Sequence, residues 1–297
     1  MEILDNERLQ ELVDYSFGDH SGVLGGVPNA YMKKANLDNK EFQPKPGKMT
    51  LFIDNIRLYR RPLEYSDWLH MKPISPVDKM WLSDFDDEDL LELCSHFPDT
   101  QFTIFTAFED TPLDDYIWDK IPDNVVSINT ANGVVFGGKV KPFPHGIERK
   151  MYPGYDHHEI LREFIEDDRK ATKKLFICHR EDTGARRHLR DHFKDKDWAT
   201  VAPSLGYEEY LTGIKDHKFV LCPSGNGIES ARNWETLYMK RVPVFEDHPY
   251  LREMFKDFPA VFVDKFENLT EEMLDDELYE EALKMDMEKL TLTHWMK

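Results

Sequence analysis

Between residues 174 and 263 the chain keeps to one rhythm. Five short apolar runs, KLFIC (174–178), WATVA (198–202), KFVLC (218–222), VPVF (242–245) and AVFV (260–263), are separated by stretches with helical spacing. Those stretches are GARRHLRDHF, GYEEYLTGI, ESARNWETLYMK and PYLREMFKDF. A strand followed by a helix cannot turn back as a hairpin, because the helix returns the chain to the edge from which the strand began. The rhythm therefore predicts an α/β fold of β-α-β units, a parallel sheet with helices on both faces. Ligands of such sheets bind beyond the carboxyl ends of the strands. Two loops sit there: HREDTG after Cys178 and PSGNG after Cys222.

The rest of the chain fits a second domain. At 297 residues there is room for two cores. Strand-like runs occur at 49–59, 100–108 and 124–130, with a helical pattern over 83–97. The acids Asp84, Asp86, Asp87 and Asp89 open that helix. Their D-x-D spacing matches the metal pairs of some sugar transferases, yet acids in a first turn more simply complement the helix dipole. A charged, weakly apolar passage over 150–170 marks a boundary. The expected division is 1–165, 166–275, and a C-terminal helix over 276–297 that could pack back on the first domain. Helical spacing extends from Leu269 to roughly Leu290.

Hydrophobic residues at 40% and aromatics at 12% describe a globular chain, not a disordered one. The net charge of −19 argues against broad adhesion to nucleic acid or anionic membrane. Within it, residues 31–61 form a basic block: Lys33, Lys34, Lys40, Lys45, Lys48, Arg57, Arg60 and Arg61 face only Asp38, Glu41 and Asp54. Cys94, Cys178 and Cys222 are widely spaced without a C-x-x-C pair, which suits buried thiols in a reducing cytoplasm and gives no zinc signature. No apolar run approaches 18 residues, and the opening residues lack the basic-then-apolar pattern of a signal peptide. The expectation is a cytoplasmic protein (the host cytoplasm, if the chain is viral) without membrane insertion.

In CPSGNGIESARNWE, Pro223 ends a strand, and Gly225 and Gly227 admit backbone angles that other residues resist. The amides of Ser224, Gly225, Asn226 and Gly227 could then approach a phosphate, aided by the helix N-terminus behind them. Alone, this is also the signature of an ordinary strand–helix corner. On the helix, Ala231, Trp234, Leu237 and Tyr238 form the core stripe, with Arg232 and Glu235 on the adjoining flank. One reading of that pair is an exposed i,i+3 ion pair. The other gives Arg232 to a phosphate and Glu235, an acceptor-only carboxylate, to the vicinal hydroxyls of a ribose. In the other loop Arg180 could be a second clamp, while Arg186 and Arg187 read as solvated helix residues.

KFVLCPSGNGIESARNWETLYMKRVPVFED resembles the donor-site segment of glycosyltransferases with two facing Rossmann-like domains, the GT-B fold. It is most similar to the exostosin-like group and related capsule and phage enzymes. The shared pattern is an apolar strand, Pro, a Gly-containing loop, then Arg232, Trp234, Glu235, Leu237 and Val242-Pro243-Val244. Thr236 stands where Ala is common, and Lys240-Arg241 replaces the usual Gly, which leaves the shape of that turn open. The resemblance covers 205–275 well, 174–190 less well, and the first half by position only. It implies a metal-independent transferase with no cofactor beyond a nucleotide-diphosphate sugar. Arg232 and, less securely, Arg180 would meet the phosphates, and Glu235 the ribose.

An inverting transfer needs a general base on the acceptor hydroxyl. FGDHSGVLGGVP (17–28) offers Asp19 with His20, and Asp110 follows a predicted strand; Asp19 is the first choice and Asp110 the second. Arg57, Arg60 and Arg61 could track DNA phosphates if the acceptor is a hydroxymethylated base in phage DNA. They could equally be a solvated face. A polysaccharide or lipid-linked acceptor, or a non-catalytic nucleotide- or glycan-binding role, remain the alternatives.

Overall fold

Two parallel sheets organise the computed structural model of this chain. The structure describes residues 3–4, 9–18, 45–54, 91, 94–107, 121–132, 137–147, 157–179, 186–225 and 227–297. The chain divides into two compact units, Asn6–His145, and Met1–Asp5 together with Gly146–Lys297.

In the first unit a short helix, α1 (Leu9–Leu12), precedes β1 (Tyr15–Gly18). The sheet continues through β2 (Gly47–Asp54), β3 (Thr100–Ala107), β4 (Val125–Thr130) and β5 (Val140–Pro142), neighbours in that order and all parallel. The three strands read from apolar runs are β2, β3 and β4; β1 and β5 are additional. Leu51, Phe102, Ile104, Phe105, Val125 and Ile128 are buried in this unit. The Asn124 side-chain amide donates to the carbonyls of Cys94 (2.8 Å), Phe97 (3.0 Å) and Thr100 (3.1 Å), fixing the chain that enters β3. Asp19, His20, Asp110, Arg57, Arg60 and Arg61 lie outside the described residues, as does most of the helical pattern over 83–97.

The second unit holds β6 (Lys173–Ile177), β7 (Ala199–Val201), β8 (His217–Leu221), β9 (Val242–Glu246) and β10 (Val261–Val263), within two residues of the apolar runs that predicted them. All pairs are parallel, in the order β7-β6-β8-β9-β10. Helices α2 (His157–Glu166), α3 (Arg187–Phe193), α4 (Tyr207–Asp216), α5 (Ala231–Tyr238), α6 (Pro249–Met254), α7 (Asp276–Leu283) and α8 (Leu292–Trp295) complete the unit.

Both faces of this sheet are covered. Leu175, Ile177, Phe219, Leu221, Val242 and Val244 pack with Leu189 and Phe193 of α3 and with Tyr279 and Ala282 of α7. The alternate residues face the other helices: the Phe176 ring lies 6.3 Å from Tyr210 of α4, and Phe245 stacks at 4.7 Å on Phe255, next to α6. Continuous burial along β8 and β9, rather than alternation, follows from this double cover. The three thiols are free and buried.

The C-terminal segment departs from the single helix expected over Leu269–Leu290. It is broken into 3-10 turns at Glu271–Met273 and Met287–Leu290 around α7. Asp275 and Asp286 each accept from the amide two residues on, so each starts a new turn instead of continuing the last. The segment is tied to its own unit: the Tyr238 hydroxyl donates to the Leu290 carbonyl and accepts from the Leu4 amide at 2.6 Å.

Candidate functional site

Strand order singles out one end of one sheet. Reading β7-β6-β8-β9-β10, the chain steps from β6 outward to β7, then returns across β6 to β8. The connections from β6 and β8 therefore lead to strands on opposite sides of the pair, and the carboxyl ends of such a pair are the usual ligand position in open α/β sheets. The first sheet, β1 to β5 in sequence order, has no such reversal among the described strands. The two loops beyond β6 and β8 are the ones the sequence marked.

From β8 the chain passes through Cys222 and Pro223 into the small-residue loop. The Ser224 hydroxyl donates to the Ile228 carbonyl at 3.1 Å, and the Gly225 amide donates to the Gly227 carbonyl at 2.9 Å. One amide expected to be free for a phosphate is thus spent inside the turn. Gly225 is also outside the left-handed region, so its need for glycine is not conformational, contrary to the sequence expectation. Asn226 and Arg180 lie outside the described residues.

The loop feeds α5, a helix buried on nearly every side. Trp234, Leu237 and Tyr238 form the expected core stripe and are fully buried. Trp234 packs against Phe255 (5.1 Å) and Trp295 (5.9 Å), while its indole N–H donates to the buried carboxylate of Glu229. Glu229 also accepts from the Tyr250 hydroxyl. That carboxylate therefore anchors the start of α5.

Glu235 is only 4% exposed, so the surface ion-pair reading fails on burial. Its two carboxylate oxygens accept from the hydroxyls of Tyr207 and Tyr210, each at 3.0 Å. Burial and then the Glu235 charge push the Tyr210 phenol well above its usual range, so it stays a donor. Each carboxylate oxygen thus accepts from one phenol, which fixes the plane of the group. His157 stacks on the Tyr207 ring at 4.1 Å and stiffens that wall.

Arg232 is partly buried with its guanidinium 6.0 Å from the Tyr210 ring centroid. Burial opposes its charge, the Glu235 carboxylate nearby favours it, and its pKa is raised. Its Nε is buried without a hydrogen-bond partner. Orphaned buried donors are rare in folded proteins, and a water, an ion, local strain or a functional role accounts for them.

Arg186 belongs to this site, although its sequence position read as a solvated helix residue. It is 8% exposed, and its Nε donates to the Ser224 carbonyl. The charge of Arg190, one turn further along α3, reaches the Cys178 thiol together with that of Arg232. Burial still dominates there and raises the Cys178 pKa; Cys222 is pushed up to about 12. Burial thus disfavours the thiolate form of both. The signal that sequence reasoning passed over was the i,i+4 spacing of Arg186 and Arg190, which puts both on one helix face.

No family model matches the chain, and no curated protein matches it in sequence. Among solved structures it is similar to TarM, at 10% identity and a TM-score of 0.35 over 83% of this chain and 52% of that one. It is also similar to the N-terminal domain of Candida albicans trehalose-6-phosphate phosphatase, at 12% identity and a TM-score of 0.40 over 93% and 75%. A third is UDP-GlcNAc 2-epimerase from Methanocaldococcus jannaschii, at 8% and 0.30 over 88% and 77%. The chain spans about half the length of TarM. Likeness at these scores bears on neither activity nor substrate. The α/β class, with two parallel sheets, follows from the strand pairing itself. Among the described residues no group of His, Cys, Asp or Glu could hold a metal, and no helix is long and apolar enough to cross a membrane.

Proposed function

We propose that the chain is a glycosyltransferase of GT-B type that takes a sugar from a nucleotide-diphosphate donor. The observation that carries this reading is the pairing of an orphaned guanidinium donor with a buried carboxylate at a topological switch point. Arg232 meets the diphosphate, and Glu235 accepts the two ribose hydroxyls alongside its tyrosines. Ser224, Gly227 and Asn226 complete the phosphate cradle, with Arg180 as a further clamp. In the transfer the acceptor oxygen bonds to the anomeric carbon, and the bond from that carbon to the phosphate oxygen breaks. The leaving diphosphate is stabilised by arginine charge, so no metal and no other cofactor is called for. Asp19, beside His20, or else Asp110, removes the acceptor proton.

For the acceptor we favour a hydroxymethylated base in DNA, bound by the unit that carries the basic block at 31–61. A glycan acceptor is the alternative. The test is a panel of nucleotide sugars incubated with hydroxymethylated DNA, unmodified DNA, or oligosaccharide. Sugar transferred to the modified DNA alone supports the proposal. Transfer to glycan moves the acceptor, and a panel in which no donor is consumed removes the enzyme reading. Reversing Arg57, Arg60 and Arg61 to Glu should cut DNA transfer at least tenfold, by the salt-sensitive loss of phosphate contacts, while donor hydrolysis persists. Unchanged transfer would dismiss the basic-block acceptor site.

A further inference from the structure

Gly225 poses a problem that phosphate binding does not solve. It does not use a left-handed conformation, and its amide is turned inward to Gly227. What its missing side chain makes room for is Arg186. A Cβ on residue 225 would lie 2.4 Å from Arg186 Nη2 and 3.5 Å from its Cζ. The same guanidinium holds the Ser224 carbonyl through Nε. We propose that Arg186 is the positioning residue of the donor loop, and that residue 225 is glycine so that this guanidinium can be seated against the loop backbone. The inference rests on the donor-site reading above.

The seating has a chemical consequence. The Ser224 carbonyl, whose negative end would repel a diphosphate, is turned onto the guanidinium. With the Gly225 amide spent, the cation beside the loop backbone is the Arg186 guanidinium. A guanidinium is a planar fork of N–H donors, and its Nε–H is the one that holds the Ser224 carbonyl. Lysine has neither the fork nor the flat face that fits a glycine notch. In Gly225→Ala the end of a side chain gives way to the added methyl, not backbone, so the fold survives while the cation is expelled.

The experiment is a double-mutant cycle on the full chain, read by thermal unfolding and by calorimetric titration with inorganic pyrophosphate. Gly225→Ala should lower Tm when Arg186 is present. In the Arg186→Ala chain the same substitution should raise Tm, because alanine then only restricts the unfolded state. Pyrophosphate affinity should fall about tenfold or more in either single variant. The double variant should be no weaker than Arg186→Ala alone, and Arg186→Lys should recover little. An equal change in Tm in both backgrounds overturns the proposal. So does pyrophosphate binding that survives Arg186→Ala. If the unsubstituted chain binds no pyrophosphate, the donor-site reading itself fails, and the Tm cycle tells that outcome from a failure of seating.

Discussion

Glu235 and Lys215 show how burial changes what a charged residue can do. On a helical wheel Glu235 belongs to a polar flank, yet Tyr207 and Tyr210 close over it and each spends a hydroxyl on it. Removing one phenol, as in Tyr210→Phe, should cost about 1–2 kcal/mol of stability, measurable by urea unfolding, because a buried carboxylate loses a donor. Lys215, near the end of α4, is 3% exposed, and burial, reinforced by the Arg241 charge, lowers its pKa to about 8. Its folded state therefore sheds the proton before the unfolded state does, and stability from this group rises as pH climbs from about 8 to about 10.5. Lys215→Met should raise Tm at pH 7, by an effect on the order of 2–3 kcal/mol, with the gain shrinking to little at pH 10.5. A gain independent of pH would contradict this. That Arg232 and Glu235 follow the β8 loop on one helix was legible in the sequence, because strand, loop and helix register fix their place. Arg186 and Lys215 were not, since whether a cation at a helix end is solvated depends on what packs over it.

Helix α5 ends on a feature the sequence left open, the Lys240-Arg241 turn. Lys240 adopts φ +56°, its amide donates to Leu237 (2.8 Å), and the Arg241 amide donates to Thr236 (3.0 Å). This is the Schellman motif, with lysine in the place glycine usually takes. Arg241 offsets that cost by capping carbonyls: its buried guanidinium donates to Lys215, Met239, Lys240 and Arg169. Lys240→Gly should therefore stabilise the chain by about 1 kcal/mol, and a lower denaturation midpoint would show the strain to be absent. Arg241→Ala should cost well over that, by orphaning buried carbonyls. Trp234→Ala should cost about 3–5 kcal/mol in the same measurement and loosen the helix that aims Arg232. Among the strands, long apolar runs announced β2, β3, β4 and all of β6 to β10. β1 and β5 are short and interrupted by Gly or by Lys and Pro, so no local pattern distinguishes them from loop. They exist because a neighbouring strand offers its edge. The C-terminal stretch failed the other way: helical spacing was present, but Asp275 and Asp286 capped new turns within it.

At the scale of the whole chain, the two units build parallel sheets with different strand orders. The unit with β6 to β10 reverses its strand order and gathers arginine charge at the reversal, inside a chain whose net charge is −19. A local cationic site in an acidic protein should favour small phosphates over extended polyanions, and its binding should weaken with salt. Ligand occupancy should also raise Tm, since a nucleotide at 100 times its Kd adds about 2.7 kcal/mol to the folded state. The most direct test uses the ribose. Affinities of a nucleoside diphosphate and its 2′,3′-dideoxy analogue should be measured by calorimetry for the unsubstituted chain and for Glu235→Gln. The unsubstituted chain should prefer the diol by about tenfold or more, as expected for hydrogen bonds to a charged acceptor, and Glu235→Gln should lose that preference. Equal affinities in the unsubstituted chain, or a preference that survives in Glu235→Gln, would contradict a nucleotide site built on Glu235 at the β6/β8 strand ends.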